Sequence, residues 1–426
     1  MFGNRQDFLP GIPDDKKSRF ILLLIFLFPI LIATVKGASS LLLLLLFLVS
    51  FGNFRNNWNK LDGMEQAVLL GMVILVLTVA LSLLMSEDVS EGSSKLDRYL
   101  RLALIIPIYF TLRIKNIDSG KILLMGVITA CFVMAAQSYY EIVILHHAMV
   151  RGAYHRLIYG DMVVLYMSLL VASWLIMKPE SKYRFYLILP MLAGGYATVA
   201  TGSRTAFLFI PVIIVTLLLL FRKQLSRKAW AIITGVLVLL IVILTLQQNR
   251  VVGGFTRGLE EIEKYQQDSS VYSSWGARLN MWYNSWQVFK TAPVLGTGVG
   301  DYHVDVKKLL KKGITRADGF SEEQTNAHSI YFETLAEGGI IGIALLLTCL
   351  FILPSRFFYR YWKNAISNEV RSYSLAGLII VVAFAWFGLT EGWLNRNPMV
   401  NSYALLLVVF MTSLANKVKP IGNNIS

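Results

Sequence analysis

Cysteine is nearly absent from the 426 residues: Cys131 and Cys349 are far apart, and each lies inside an apolar run. With no second Cys and no His at ligand spacing beside either one, the chain offers neither a disulfide framework nor a zinc site. Charge is scarce too, at 15% of residues. A soluble fold carries about a quarter of its residues as charges, so this composition excludes one. A phosphate-binding loop is also missing. The glycines of Gly296-Thr297-Gly298-Val299-Gly300 have no strand before them and no Lys-Ser or Lys-Thr after them, and they read as a turn.

What the chain has instead is apolar length. Apolar residues make up 55% and the mean hydropathy is +0.58, so lipid must be the solvent for most of the molecule. Runs of spanning or near-spanning length recur between residues 20 and 415, with one long interruption. The fold class expected is an all-α integral membrane protein of about twelve transmembrane helices. Nine of these lie in residues 1–246; a large, partly helical loop follows at 247–327, and 328–426 hold helices ten to twelve and a tail. Pro29, Pro107, Pro190, Pro211 and Pro354 lie in or beside these runs, where neighbouring helices can satisfy the freed backbone groups.

Orientation follows from the positive residues. Lys16, Lys17 and Arg19 precede the first run, and no convincing cleavage site follows it, so an uncleaved first helix starts in the cytoplasm. With one crossing per run, 22 of the 40 Lys and Arg fall in cytoplasmic segments, 8 in short outside connections and 10 in the long loop. This bias accounts for most of the net charge of +14 without nucleic acid as a partner. The expected arrangement is a multi-pass inner-membrane protein with both termini cytoplasmic and the long loop outside.

The loop at 247–327 is the one stretch of soluble-domain composition, and its length is unusual for a structureless connection. Residues 258–267 are helix-like and charged, while Ser273 to Lys290 set Trp275, Leu279, Trp282, Trp286 and Phe289 at helical spacing. Such a helix suits the outer leaflet, where a lipid-linked ligand enters; a helix simply packed on the bundle is the other reading.

Several side chains could carry chemistry. Arg204 lies in Thr201-Gly202-Ser203-Arg204-Thr205, a polar turn between two apolar runs, where a buried charge costs up to about 3 kcal/mol and calls for a paired anion; snorkelling to water is the alternative. Arg278, one turn before Trp282, presents a planar fork suited to a phosphate, although surface arginines are common. His328 follows Asn326, a candidate helix cap, and in the first turn of a helix its imidazole would be kept neutral by the positive end of the dipole. A neutral imidazole there suits a general base, and an interfacial histidine with a purely structural hydrogen bond is the plain alternative. Arg151 and Arg156, with His146, His147 and His155, make an outside basic cluster fit for an anionic sugar or phosphate, or simply for solvation. Glu333 with Glu337, and Glu391 with Arg396, read equally as structural charge pairs or as participants in catalysis.

Three pieces together resemble the O-antigen ligase family, membrane glycosyltransferases that share a superfamily with O-antigen polymerases and bacterial protein O-oligosaccharyltransferases. They are Thr201 to Ala206 around Arg204; Arg278 to Gly300, with Trp282 and Pro293-Val294-Leu295-Gly296-Thr297-Gly298; and His328 to Gly342, with Leu-Ala-Glu-Gly-Gly-Ile-Ile-Gly. The resemblance implies transfer of a glycan from undecaprenyl diphosphate to a hydroxyl acceptor in the periplasm, with no nucleotide, metal or other cofactor. It assigns Arg204 and Arg278 to the leaving diphosphate and His328 to the acceptor hydroxyl proton. Trp282, Arg151, Arg156, Glu337 and Glu391 are further candidates for substrate binding. Direct attack inverts the anomeric configuration, whereas a covalent intermediate would need a carboxylate such as Glu337 or Glu391 opposite the leaving group.

The acceptor separates the members of the superfamily: lipid A core for a ligase, a lipid-linked repeat for a polymerase, a protein hydroxyl for an oligosaccharyltransferase. The compact chain, without an appended soluble domain after residue 416, and the many basic residues outside favour the ligase. A secondary transporter is the alternative of another class. The short connection near Lys178 to Arg184 and the lack of an internal repeat oppose it.

Overall fold

The computed structural model describes residues 13, 15–51, 58–177, 181, 183–222, 274–315 and 326–419. Among these, the regular structure is helical throughout: α1 (Lys16–Leu31), α2 (Ala38–Ser50), α3 (Gly63–Ser82), α4 (Val89–Ile114), α5 (Ser119–Tyr139), α6 (Arg156–Ile176), α7 (Tyr183–Thr201), α8 (Arg204–Phe221), α9 (Ser274–Thr291), α10 (Tyr302–Lys311), α11 (Ile330–Leu346), α12 (Leu353–Lys363), α13 (Asn368–Thr390) and α14 (Asn397–Val418). Seven helical segments among the described residues are long and apolar enough to cross a membrane, which makes this a multi-pass membrane protein. The expected span at 229–246 and the charged stretch at 258–267 lie outside the described residues.

Local sequence explains the helix starts. Asp15 accepts the Ser18 amide at 2.8 Å, Asp88 accepts that of Glu91 at 3.0 Å, and Ser367 accepts that of Val370 at 3.2 Å. Glu65 reaches back to the Asp62 amide at 2.8 Å, the reciprocal half of a capping box. Apolar distribution then decides position. The apolar window of α14 is fully buried, and this helix forms the centre of the bundle against α2, α4 and α13. Only 22% of the α8 window is buried, which leaves most of that helix free to face lipid.

Polar contacts define the two ends of the bundle. At one end Arg113 binds Glu65 at 2.8 Å and Asn416 at 2.8 Å, and Lys417 binds Asp118 and Glu369 at 3.2 and 3.0 Å. At the other end Tyr154 Oη accepts the Gly37 amide at 2.7 Å, the Val150 amide donates to the Ala200 carbonyl at 3.2 Å, and Asn401 reaches Ser39 at 3.2 Å. The helices α9 and α10 belong to this second end. There Asp301, just before α10, accepts the Glu87 and Asp88 amides at 2.9 and 2.8 Å and so docks onto the start of α4.

Candidate functional site

The site is built around a break in α11. Gly339 adopts φ 59° and ψ −159°, and the helix resumes after it. Irregular backbone inside a membrane protein survives only where its polar groups find partners. Here they find the turn that follows α9. Pro293 and Val294 carbonyls accept the Ile340 and Ile341 amides at 2.9 and 3.3 Å, while the Thr297 and Gly298 amides donate to the Ala336 and Glu337 carbonyls at 3.4 and 3.1 Å. Gly296, Gly298 and Gly300 all have positive φ, as the sequence reading of a turn requires.

Just below the break, α4 contributes Lys95, which is 2% exposed. Its ammonium binds Glu337 Oε1 at 2.7 Å and also binds Glu333. Glu337 further accepts the Tyr302 amide at 3.3 Å, and Glu333 accepts Asn395 Nδ2 at 2.7 Å. Glu337, a candidate for substrate binding from sequence, is thus engaged by Lys95 and the start of α10.

His328 precedes α11 instead of lying in its first turn. Ser329 is the residue that precedes the helix, and His328 has φ 49°, a left-handed conformation that histidine tolerates better than most residues. Asn326 therefore does not cap the helix as expected; its Oδ1 accepts the His328 amide at 3.0 Å and holds the turn. The electrostatic partner is also different. Glu391, at the end of α13, places Oε2 3.7 Å from His328 Nδ1, a charge contact longer than a hydrogen bond, and Arg396 Nε reaches Glu391 Oε1 at 3.3 Å. Burial acts to raise the Glu391 carboxyl, but His328 and Arg396 outweigh it and hold it below its ordinary value.

The Arg204 turn stands beside this pair. Gly202 has φ 58°, Ser203 caps α8, and Thr205 donates to Asp161 Oδ1 on α6 at 3.1 Å. Trp386 on α13 donates to the Thr205 carbonyl at 3.3 Å. Asp161 is 1% exposed and near enough to Glu391 to interact with it electrostatically. Arg204 itself is half-buried, with no ion-pair partner among the described residues. Around the mouth, Arg151, His155, Arg156 and Arg396 are exposed. His155 lies below its usual value, chiefly through burial and then through Arg156, Arg396 and Arg151, with Glu391 opposing. Glu141 folds this rim by accepting the Arg151 amide at 2.8 Å.

Arg278 and Trp282 enter from α9. Trp282 stacks on Phe332 of α11, with ring centroids 5.0 Å apart and planes at 10°, and Arg278 is half-buried one turn earlier. Ala277, Met281 and Val288 are buried with Asn280, Asn284 and Ser285, so α9 packs on the bundle, the plainer of its two readings from sequence. Trp286 is exposed.

Lys95 and Asp161 were not singled out by sequence. A signal existed, since each is an ionisable residue within or beside an apolar run. Among the described residues no group of three or more His, Cys, Asp and Glu side chains converges as metal ligands.

Residues 189–347 match the family model described as O-antigen ligase, a span that holds Arg204, Arg278, Trp282, His328 and Glu337. Over 348 residues the chain is 20% identical to an uncharacterized protein of Haemophilus influenzae, covering 78% of this chain and 82% of that one. Over 251 residues it is 22% identical to an O-antigen ligase of Escherichia coli, covering 58% of this chain and 57% of that ligase.

Proposed function

We propose that this chain, which is similar to the O-antigen ligase family over residues 189–347, transfers a glycan from undecaprenyl diphosphate to a sugar hydroxyl of lipid A core at the periplasmic face of the bacterial inner membrane. The observation that carries this reading is the His328–Glu391 contact of 3.7 Å, with Arg396 on the other carboxylate oxygen. Nδ1 is turned to the carboxylate, and Nε2 is the nitrogen this reading assigns to the acceptor. The acceptor oxygen attacks the anomeric carbon, its proton passes to Nε2, the bond to the diphosphate oxygen breaks, and Glu391 stabilises the imidazolium formed. Direct attack inverts the anomeric centre.

Arg204 and Arg278 stabilise the departing diphosphate. Arg204 is suited to this because it sits half-buried at the start of α8, where its charge and the helix N-terminus both favour an anion. Trp282, stacked on Phe332, offers an apolar wall beside Arg278 for the lipid chain. The exposed Arg151 and Arg156 receive the phosphorylated core.

The test is reconstitution of purified protein with undecaprenyl-diphosphate-linked glycan and lipid A core, without nucleotide and with chelator. Wild type glycosylates the core, and Arg204→Ala and Arg278→Ala each lower the rate by about 10²- to 10³-fold, the effect of losing one preorganised donor. Elongation of the lipid-linked glycan instead marks a polymerase, and transfer only to an added protein marks an oligosaccharyltransferase.

The state of Glu391 predicts a pH effect as well. A carboxyl lowered by folding stabilises the protein above its unfolded value and loses that contribution as pH falls through its folded value. The melting temperature of wild type therefore drops below about pH 4, and Glu391→Gln flattens that acid limb in a thermal scan.

A further inference from the structure

We propose that Glu333, with Lys95 and Asn395, forms a subsite that holds a second hydroxyl of the acceptor sugar, a role that rests on the transfer reading above. Glu333 is 5% exposed, and it uses Oε1 for Lys95 and Asn395. Its other oxygen, Oε2, is buried and has no hydrogen-bond donor among the described residues. A buried carboxylate oxygen without a donor costs about 1–3 kcal/mol or more, so the arrangement is suited to receive one.

The surroundings say which kind. Glu333 lines a cleft with Lys95, Asn395, Glu337, Thr334 and Tyr99, set against the aliphatic Val299, Ile330 and Leu394. Polar groups beside an apolar wall match a sugar, which presents hydroxyls and a C–H face. A bare cation would need several convergent oxygens, and the Lys95 ammonium already sits between Glu333 and Glu337 here.

Position ties the cleft to the chemistry. A Cβ on Gly392 would stand 3.4 Å from Glu333 Oε2 and 3.6 Å from Asn326 Oδ1. Gly392 is the neighbour of Glu391, and Asn326 Oδ1 holds the His328 amide. The open oxygen therefore lies near the backbone that carries Glu391 and near the residue that holds the His328 turn. A hydroxyl donated to it orients the sugar whose other hydroxyl meets His328.

The experiment measures kcat and KM for lipid A core with full-length protein, using wild type, Glu333→Gln and Gly392→Ala, and monodeoxy analogues of the acceptor sugar. Glu333→Gln raises KM about ten- to a hundredfold, as expected for a hydrogen bond to a charged group. One deoxy analogue costs wild type a similar factor, and Glu333→Gln loses nothing more with that analogue. Gly392→Ala keeps every charge, sets a methyl against Oε2 where a hydroxyl would enter and 3.2 Å from Asn395 Nδ2, and also raises KM, so it serves where the glutamine variant does not fold. Losses that multiply for every analogue, or an unchanged KM in Gly392→Ala, overturn the subsite.

A second measurement separates this proposal from the transfer reading. Fluorescently labelled core oligosaccharide is titrated onto wild type and the same variants with no donor present. Weaker binding in both variants supports the subsite whether or not transfer is observed, and equal binding overturns it. Absence of transfer in wild type, with binding intact, counts against the transfer reading alone.

Discussion

Replacing His328 with alanine lowers glycan transfer by about 10²- to 10⁴-fold, the range for loss of a positioned general base. Its amide is held by Asn326 and its Nδ1 faces Glu391, so removal of the ring leaves the turn and its anchors in place. Binding of the lipid-linked donor should stay within a few-fold of wild type. Glu391→Gln, which keeps shape and loses charge, lowers the rate by a smaller factor because the imidazolium loses its counter-charge. The two losses should not multiply. If Glu391 acts through the ring, adding Glu391→Gln to His328→Ala changes little. Initial rates of the four proteins of this cycle, measured on folded, monodisperse samples, decide the matter. Multiplicative losses would show that Glu391 serves something other than His328, and a near-normal rate in His328→Ala would remove the base assignment.

Gly296→Ala is the substitution with the largest expected effect on folding. Its Cβ would lie 2.2 Å from the Glu337 carbonyl oxygen and 2.4 Å from the Gly338 amide nitrogen, all backbone, and its φ is +75°. Backbone atoms on α11 cannot move aside without breaking the bonds that satisfy the helix break. Strain at a left-handed residue and overpacking each cost about 1–3 kcal/mol. Combined, they are a large share of a typical domain's stability. The expected result is a sharp fall in yield of monodisperse protein and a lower melting temperature in detergent. By contrast Gly313→Ala, where φ is +70° but no atom lies within 4 Å, keeps the strain and loses the clash, and should cost less. Equal behaviour of the two variants would mean that contact with α11 is unimportant.

Much of the fold was legible because it rests on local rules. The aromatic spacing from Ser273 to Lys290 marked α9 within a residue or two at either end. The glycines at 296–300 gave a turn, and the polar gap at 201–205 gave the junction of α7 and α8. Helix α4 runs well N-terminal of its apolar stretch, to Val89, because Asp88 caps it and Asp301 secures the preceding loop. That anchor is more than 200 positions away and has no local signal. His328 was legible as a candidate, but its place before the helix was not, since a capping residue cannot be chosen between Asn326 and Ser329 by spacing alone.

Composition and the distribution of apolar and basic residues determined by themselves that this protein lives in a membrane as a helical bundle, with Arg204, Arg278 and His328 as candidates for its chemistry. Burial of apolar length and the bias of positive charge act on each segment independently of its neighbours, so one chain suffices to read them. Tertiary structure alone decided that Glu391 meets His328, that Lys95 lies between Glu333 and Glu337, and that the glycine turn closes the break in α11. These pairings depend on the rotation and height of helices far apart in sequence, which packing sets and no local pattern encodes.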